Sequence, residues 1–113
     1  MIEQAQLQYI LEEAQQAAIS ASSQHIAKHG EGMACGFAWV NIYQFNGEKI
    51  KGNTKIGRLL KKVGVGQDYT RAFSQWCNWY GGQSIDVKES GAQAFADTLT
   101  QYGFTAYAGS RLD

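Results

Sequence analysis

The stretch ACGFAWVNIY at residues 34–43 decides the fold, because apolar side chains occupy both of its alternating faces. One face carries the larger side chains, which are Cys35, Phe37, Trp39 and Tyr43. The other face carries small and aliphatic ones, which are Gly36, Ala38, Val40 and Ile42. Strands that are apolar on both faces are typical of a sheet interior covered on two sides. The stretch therefore predicts a central strand, whose small-residue face allows another element to approach the backbone closely.

A long helix is predicted before this strand, because residues 2–29 contain neither glycine nor proline. Its predicted buried stripe alternates spacings of four and three residues and consists of Leu7, Leu11, Ala14, Ala18, Ala21 and His25. Gly30 then ends the helix. At about 1.5 Å per residue the rod is about 42 Å long, which is too long for so small a domain to cover. We expect either a break near residues 20–23 or packing on a second subunit, and we favour an oligomer.

The rest of the chain predicts two shorter helices and two further strands. A helix is expected over residues 54–63, with Asn53 or Thr54 as N-cap. An aromatic-rich strand is expected over residues 71–80. Asp86 and Glu89 then match the spacing of a capping box and predict the start of a third helix.

A last strand at residues 104–108 completes an α+β fold. In this fold a long N-terminal helix precedes a small, three-stranded, mainly antiparallel sheet packed by two further helices. Residues 1–30 form the helix, interpreted as an oligomerisation arm, and residues 31–113 form a compact α+β domain.

Length and composition limit the class of protein. A chain of 113 residues with 44% hydrophobic side chains suits one folded domain rather than a disordered segment. It has neither an apolar run of about 20 residues nor a basic-then-apolar leader, so we expect a soluble, cytosolic protein without membrane contact. Two cysteines are too few for a disulfide framework and are expected to stay thiols.

The formal net charge of zero conceals a strong division along the chain. Residues 1–48 and 63–113 are net acidic, whereas residues 49–62 carry six bases and no acid. The basic segment consists of Lys49, Lys51, Lys55, Arg58, Lys61 and Lys62. Such a segment is suited to a nucleic-acid backbone, an acidic host protein or a free nucleotide. The pI near 6.7 argues against nucleic acid as the first choice, and a solvated surface is the simplest alternative.

Three blocks together resemble a family of small uncharacterised bacteriophage proteins. They are ACGFAWV at residues 34–40, the QSxDxKE pattern at residues 83–89 and the terminal SRxD pattern at residues 110–113. The basic middle region is also similar to that family. This chain lacks the proline-containing stretch often found before the first block, so the resemblance does not extend to the N-terminal helix. The resemblance implies a phage accessory protein in the cytoplasm of the infected bacterium and implies no particular activity.

A ligand site is predicted around the start of the third helix, where free backbone N–H groups favour an anion. The candidate residues are Trp76, Trp79, Tyr80, Gln83, Ser84, Asp86, Lys88 and Arg111. In this hypothesis the cations attract a phosphate while an aromatic ring stacks on a base. A purely structural cap, with Arg111 paired to Asp86 or Glu89, explains the same residues.

Catalytic and metal chemistry find little support in the sequence. His25, His29, Cys35 and Cys77 do not match a familiar zinc spacing, and Cys35 belongs to a strand predicted to be buried. Phosphate loops, nucleophile elbows and metalloprotease helices are missing from the sequence. We therefore expect a protein that is not an enzyme and needs no cofactor or metal.

Three hypotheses follow for its function. The first is a non-enzymatic, oligomeric phage protein that sequesters a small nucleotide-derived anion, with an anti-defence role. The second is a protein inhibitor that occupies a host enzyme or nuclease through the basic segment. The third is a nucleic-acid-binding protein.

Overall fold

The computed structural model describes residues 2–113 and shows an α+β fold with three helices and four strands. The helices are α1 (Gln4–His29), α2 (Lys55–Lys62) and α3 (Ile85–Gln101). The strands are β1 (Gly36–Tyr43), β2 (Gly66–Gln67), β3 (Phe73–Trp76) and β4 (Thr105–Leu112). The α+β class, the long first helix and the two further helices are confirmed.

The sheet has the order β2-β3-β1-β4, and every pair is antiparallel. The prediction of three strands was wrong, because β2 is only two residues long and too short to show a period of two. The predicted strand at residues 71–80 is shorter than expected, since pairing with β1 ends at Trp76. The last strand is longer and pairs with β1 as far as Leu112.

The central position of β1 is confirmed, but coverage on both faces is not. Its inward side chains Ala38, Val40 and Ile42 are buried in one core with Phe95 and Leu99 of α3. The opposite side chains are only half-buried, and the three helices of residues 2–113 pack on the other side of the sheet. Apolar alternation therefore indicated which side chains share a face, but not what covers that face.

Close approach to the small-residue face is confirmed at Gly36. A Cβ atom there would lie 2.6 Å from the Ile85 side chain and 2.6 Å from the Arg111 carbonyl oxygen. Glycine at this position therefore allows the start of α3 to pack directly against the strand backbone.

Helix α1 runs unbroken for 26 residues and packs along α3. Its buried side chains are Leu7, Ile10, Ala14, Ala18 and Ser22. Close helix packing is possible because Gly91 of α3 has no side chain, and a Cβ there would lie 2.7 Å from the Ser22 hydroxyl. Helix α1 is therefore covered within its own chain over much of its length, and the alternative of a break near residues 20–23 is wrong. Self-association through α1 stays a prediction.

Candidate functional site

The exposed side of the sheet carries a cluster of aromatic rings from β1 and β3. Trp39 and Trp76 are register partners, and their ring centroids lie 5.1 Å apart with the planes tilted by 36°. Phe37 meets Trp76 edge-on at 6.1 Å. Trp76 keeps 49% of its surface exposed. We name the exposed side of the sheet the aromatic face, defined by Phe37, Trp39, Tyr43, Trp76 and Tyr107.

A glycine on β4 sets the position of one indole. Gly109 lies opposite Trp39 in the register, and a Cβ atom there would lie 2.5 Å from the indole nitrogen of Trp39. The Trp39 ring therefore lies over the bare backbone of β4. The Trp39 ring is thus packed between the backbone of β4 on one side and the Trp76 ring on the other.

Two cations flank the Phe37 end of the aromatic face. The guanidinium carbon of Arg111 lies 5.4 Å from the Phe37 centroid, and the Lys88 ammonium lies 5.7 Å from it. The Lys88 ammonium also donates a 2.8 Å hydrogen bond to the Gly36 carbonyl oxygen. Both cations are therefore positioned by contacts with β1 and provide positive charge beside exposed aromatic carbon.

A cleft of about 360 Å³ opens over these rings, between β1 and the loop after β2. Its lining includes Trp39, Trp76 and Arg111, together with Asp68 and Tyr69 of the loop. The Asp68 carboxylate accepts hydrogen bonds from the hydroxyl and backbone N–H of Thr70, at 2.6 Å and 2.7 Å. These bonds, with the Thr70 hydroxyl first, lower the pKa of Asp68. The one carboxylate in the lining therefore favours its ionised form, with its Oδ1 atom bonded to its own loop.

A second pair of rings lies at the other end of the aromatic face. Tyr43 of β1 and Tyr107 of β4 have ring centroids 5.9 Å apart. Tyr107 is 60% exposed. Between the two ring clusters, Ser74 donates a 2.8 Å hydrogen bond to the side-chain oxygen of Asn41. The aromatic face thus extends along the whole of β1.

The predicted ligand residues divide between this face and the core. Trp76, Lys88 and Arg111 lie together around the Phe37 ring. Trp79 is 5% exposed, contacts Phe95 at a centroid distance of 5.5 Å and donates a 3.1 Å hydrogen bond to the Lys88 carbonyl oxygen. Trp79 therefore packs in the core and does not reach the aromatic face.

The remaining predicted ligand residues lie at the start of α3, but in different roles from those expected. The N-cap is Ser84, whose hydroxyl accepts from the Val87 N–H, while Asp86 belongs to the first turn and is exposed. Glu89 accepts a hydrogen bond from Ser110 on β4, at 2.7 Å. The predicted capping box of Asp86 and Glu89 was therefore wrong, because the helix starts two residues earlier than its spacing suggested.

Gln83 and Tyr80 lie in the segment before this cap. The Gln83 carbonyl oxygen accepts from the Gly36 N–H at 3.2 Å, which connects the segment to β1. Tyr80 is half-buried, and burial raises the pKa of its hydroxyl, with the Glu31 carboxylate acting in the same direction. Gln83 therefore connects the segment to β1 and Tyr80 packs against the core, and neither belongs to the aromatic face.

The basic segment is also divided. Lys49, Lys51 and Lys61 line a second cleft, of about 520 Å³, which Arg71 completes. Lys55 lies 3.9 Å from the Glu3 carboxylate, Arg58 donates to the Asn53 carbonyl oxygen, and Lys62 is exposed on α2. We name the second cleft, defined by Lys49, Lys51, Lys61 and Arg71, the cationic cleft.

The histidines and cysteines do not form a metal cluster. The rings of His25 and His29 lie 4.9 Å apart, but within residues 2–113 no three His, Cys, Asp or Glu side chains come together as a metal site would require. Both cysteines are free thiols. Cys35 is exposed rather than buried, because β1 begins one residue after it.

Sequence reasoning missed Phe37, Trp39, Tyr43, Tyr107 and Arg71 as site residues. The signal for the first three was present, since residues 37, 39 and 43 were assigned to one face of the strand. Their partners became visible only with the register, which sets Trp39 opposite Trp76 and Asn41 opposite Tyr107. Arg71 gave no signal, because it lies outside the basic segment.

No protein-family model matches the sequence, and no curated protein or solved structure is significantly similar to it. None of the helices in residues 2–113 combines the length and apolarity needed to cross a membrane. Function is therefore inferred from the chemistry of the aromatic face and the cationic cleft.

Proposed function

We propose that this protein is a non-enzymatic binding protein that holds a nucleotide-derived anion on its aromatic face. The observation that carries the proposal is the adjacent pair of indoles beside Arg111, formed by the half-buried Trp39 and the exposed Trp76. A base stacks on Trp76, and the phosphate lies toward Arg111 and Lys88. Phage origin, a host-cytoplasmic location, the anti-defence role and oligomerisation stay predictions from the sequence.

Stacking is the main source of affinity in this proposal. Each base stacked on an aromatic side chain contributes about 1–3 kcal/mol, regardless of which base it is. Both indoles are also packed before binding, since Trp39 lies against Gly109 and Trp76 contacts the rings of Trp39 and Phe37. Little side-chain entropy is therefore lost when a base arrives.

The charge beside the rings favours an anionic rather than a neutral aromatic ligand. Arg111 and Lys88 have their charged groups within 6 Å of the Phe37 centroid, and the guanidinium is suited to bidentate contact with phosphate. The Asp68 carboxylate, whose Oδ1 accepts hydrogen bonds from Thr70 and Ala72, is the one negatively charged group among the described residues that line this cleft and opposes this positive charge.

A second candidate function is supported by the tyrosines at the far end of the aromatic face. Tyr43 lies six residues beyond Phe37 on β1, which corresponds to about 20 Å along an antiparallel strand. Four-stranded sheets with an exposed row of aromatic side chains can stack more than one base of a single strand. In this candidate the ligand is a single-stranded oligonucleotide that also contacts Tyr43 and Tyr107.

Calorimetric titration with free nucleotides and with oligonucleotides tests both candidates. Cyclic nucleotides, ADP-ribose and single strands of increasing length serve as the probes. Trp76→Ala is expected to weaken binding about tenfold or more, because it removes a stacking surface. Trp76→Phe is expected to retain most of the affinity.

Tyr9→Ala is the matched control, because Tyr9 is an exposed aromatic residue on α1, away from the sheet. Saturable binding of free nucleotides supports the first candidate, and binding that needs several linked nucleotides supports the second. Wild-type affinity in Trp76→Ala, or no binding of any probe, contradicts both.

A further inference from the structure

The cationic cleft lies on the other side of the loop that borders the aromatic face. Asp68 and Tyr69 line the aromatic cleft, whereas Thr70 and Arg71 line the cationic one. None of the described residues that line the cationic cleft is acidic. Four cationic side chains thus surround a space of about 520 Å³ with no opposite charge in the lining.

Arg71 is positioned by an unusual backbone conformation. It is the one residue other than glycine among residues 2–113 with a positive φ, of 67°. The Asp68 carboxylate fixes this loop by accepting hydrogen bonds from the Thr70 N–H, the Thr70 hydroxyl and the Ala72 N–H. The Arg71 N–H also donates to the Asp68 carbonyl oxygen at 2.9 Å. An unfavourable conformation that the surroundings hold so firmly is typical of a functional position.

Two of the lysines lie against the backbone of other segments. The Lys49 ammonium donates a 2.7 Å hydrogen bond to the Thr70 carbonyl oxygen. The Lys61 ammonium lies against Gly52, where a Cβ atom would be only 2.7 Å from it. Lys61 therefore extends from α2 to the backbone of Gly52. Cations that line one cleft repel one another, and a bound polyanion relieves that repulsion.

We propose that the cationic cleft is an anion-binding site that takes an oligophosphate group, meaning two or three linked phosphates. A single phosphate has fewer charges and oxygens than four surrounding cationic side chains can engage. A short oligophosphate carries several negative charges along its length, which matches cations that come from three separate segments. This site is independent of the aromatic face and of the function proposed for that face.

Titration with inorganic tripolyphosphate, followed by calorimetry and thermal unfolding, tests this site. Wild-type protein is expected to bind one tripolyphosphate with an affinity that falls as salt is added. Arg71→Gly is expected to raise the unfolding midpoint, since glycine tolerates positive φ, and to weaken tripolyphosphate binding about tenfold, since a charge-assisted contact is lost. Lys61→Gln is expected to weaken binding without changing the loop.

Two control variants separate this site from its neighbours. Lys62→Gln removes an exposed cation of α2 that does not line the cleft, and Trp76→Ala alters only the aromatic face. Both are expected to bind tripolyphosphate as the wild type does. Wild-type affinity in both Arg71→Gly and Lys61→Gln, or equal affinity for orthophosphate and tripolyphosphate, would overturn the proposal. Loss of binding in Trp76→Ala would also overturn it, because the site would then not be independent.

Discussion

The two faces of β1 are both largely apolar, but they differ in the size of their side chains and in their surroundings. On the helical face, Ala38 and Val40 are at most 1% exposed and pack under α3. On the aromatic face, Trp39 is half-buried and its partner Trp76 is 49% exposed. Burial on the first face stabilises the fold, whereas the exposed rings on the second contribute less to stability and remain free to contact a ligand.

The largest expected effect comes from removing a ring on the helical face. Phe95 is 1% exposed and contacts Trp79 in the core. Phe95→Ala is expected to lower the free energy of unfolding by about 3–5 kcal/mol, because it leaves a cavity in a packed core. Urea unfolding measures this change.

Trp76→Ala provides the comparison from the aromatic face. It removes a larger ring, but half of that ring is already in solvent, so the expected cost is below about 2 kcal/mol. Equal losses in the two variants would contradict the distinction between a stabilising face and a binding face.

Much of the fold was predictable because it depends on local patterns. The absence of glycine and proline before Gly30 marked α1, and the alternation in residues 34–43 marked β1. The sequence predicted Asn53 or Thr54 as the N-cap of α2, and Thr54 is the N-cap in the structure. Strand β2 was not predictable, because two residues such as Gly66 and Gln67 carry no periodic signal.

The candidate sites were less predictable because they depend on contacts between distant segments. Trp76, Trp79 and Tyr80 are aromatic residues close together in sequence, and nothing in the sequence distinguished them as stacking candidates. In the structure, pairing with β1 ends at Trp76, and Trp79 is buried in the core. Likewise, three lysines of the basic segment meet Arg71 only because the loop after β2 folds toward them. Aromatic and basic composition indicated the chemistry, and the register decided which residues share a site.

An intermediate effect on stability is expected when Gly109 of β4 is replaced, because this residue lies against the Trp39 ring of the aromatic face. In Gly109→Ala the new Cβ atom would lie 2.5 Å from the Trp39 indole nitrogen, so the ring must move. We expect a stability loss of about 1–3 kcal/mol from overpacking. Displacement of Trp39 is expected to change the near-ultraviolet circular dichroism and to weaken nucleotide binding.

Gly66→Ala is the matched control for this variant, because a Cβ atom at Gly66 meets nothing within 4 Å. Its spectrum and its binding are expected to equal those of the wild type. If Gly109→Ala moved the indole signal yet bound nucleotide normally, Trp39 would be excluded as part of the binding surface.

The smallest expected effect is on stability at high pH, through a hydrogen bond between α1 and the end of α3. The Tyr102 hydroxyl donates a hydrogen bond to the Glu13 carboxylate, and this bond is the main cause that raises the pKa of Tyr102 from 10.0 to about 12. A pKa raised in the folded state stabilises the fold below pH 10.0, and this contribution disappears as the pH approaches 12. The wild type is therefore expected to lose stability between these values more steeply than Tyr102→Phe, as measured by unfolding midpoints against pH.

Tyr107→Phe, which removes a hydroxyl from the aromatic face, is expected to follow the wild-type curve. Parallel curves for wild type and Tyr102→Phe would show that the hydrogen bond from Tyr102 to Glu13 contributes nothing to stability. Apolar packing alone would then hold α1 against α3.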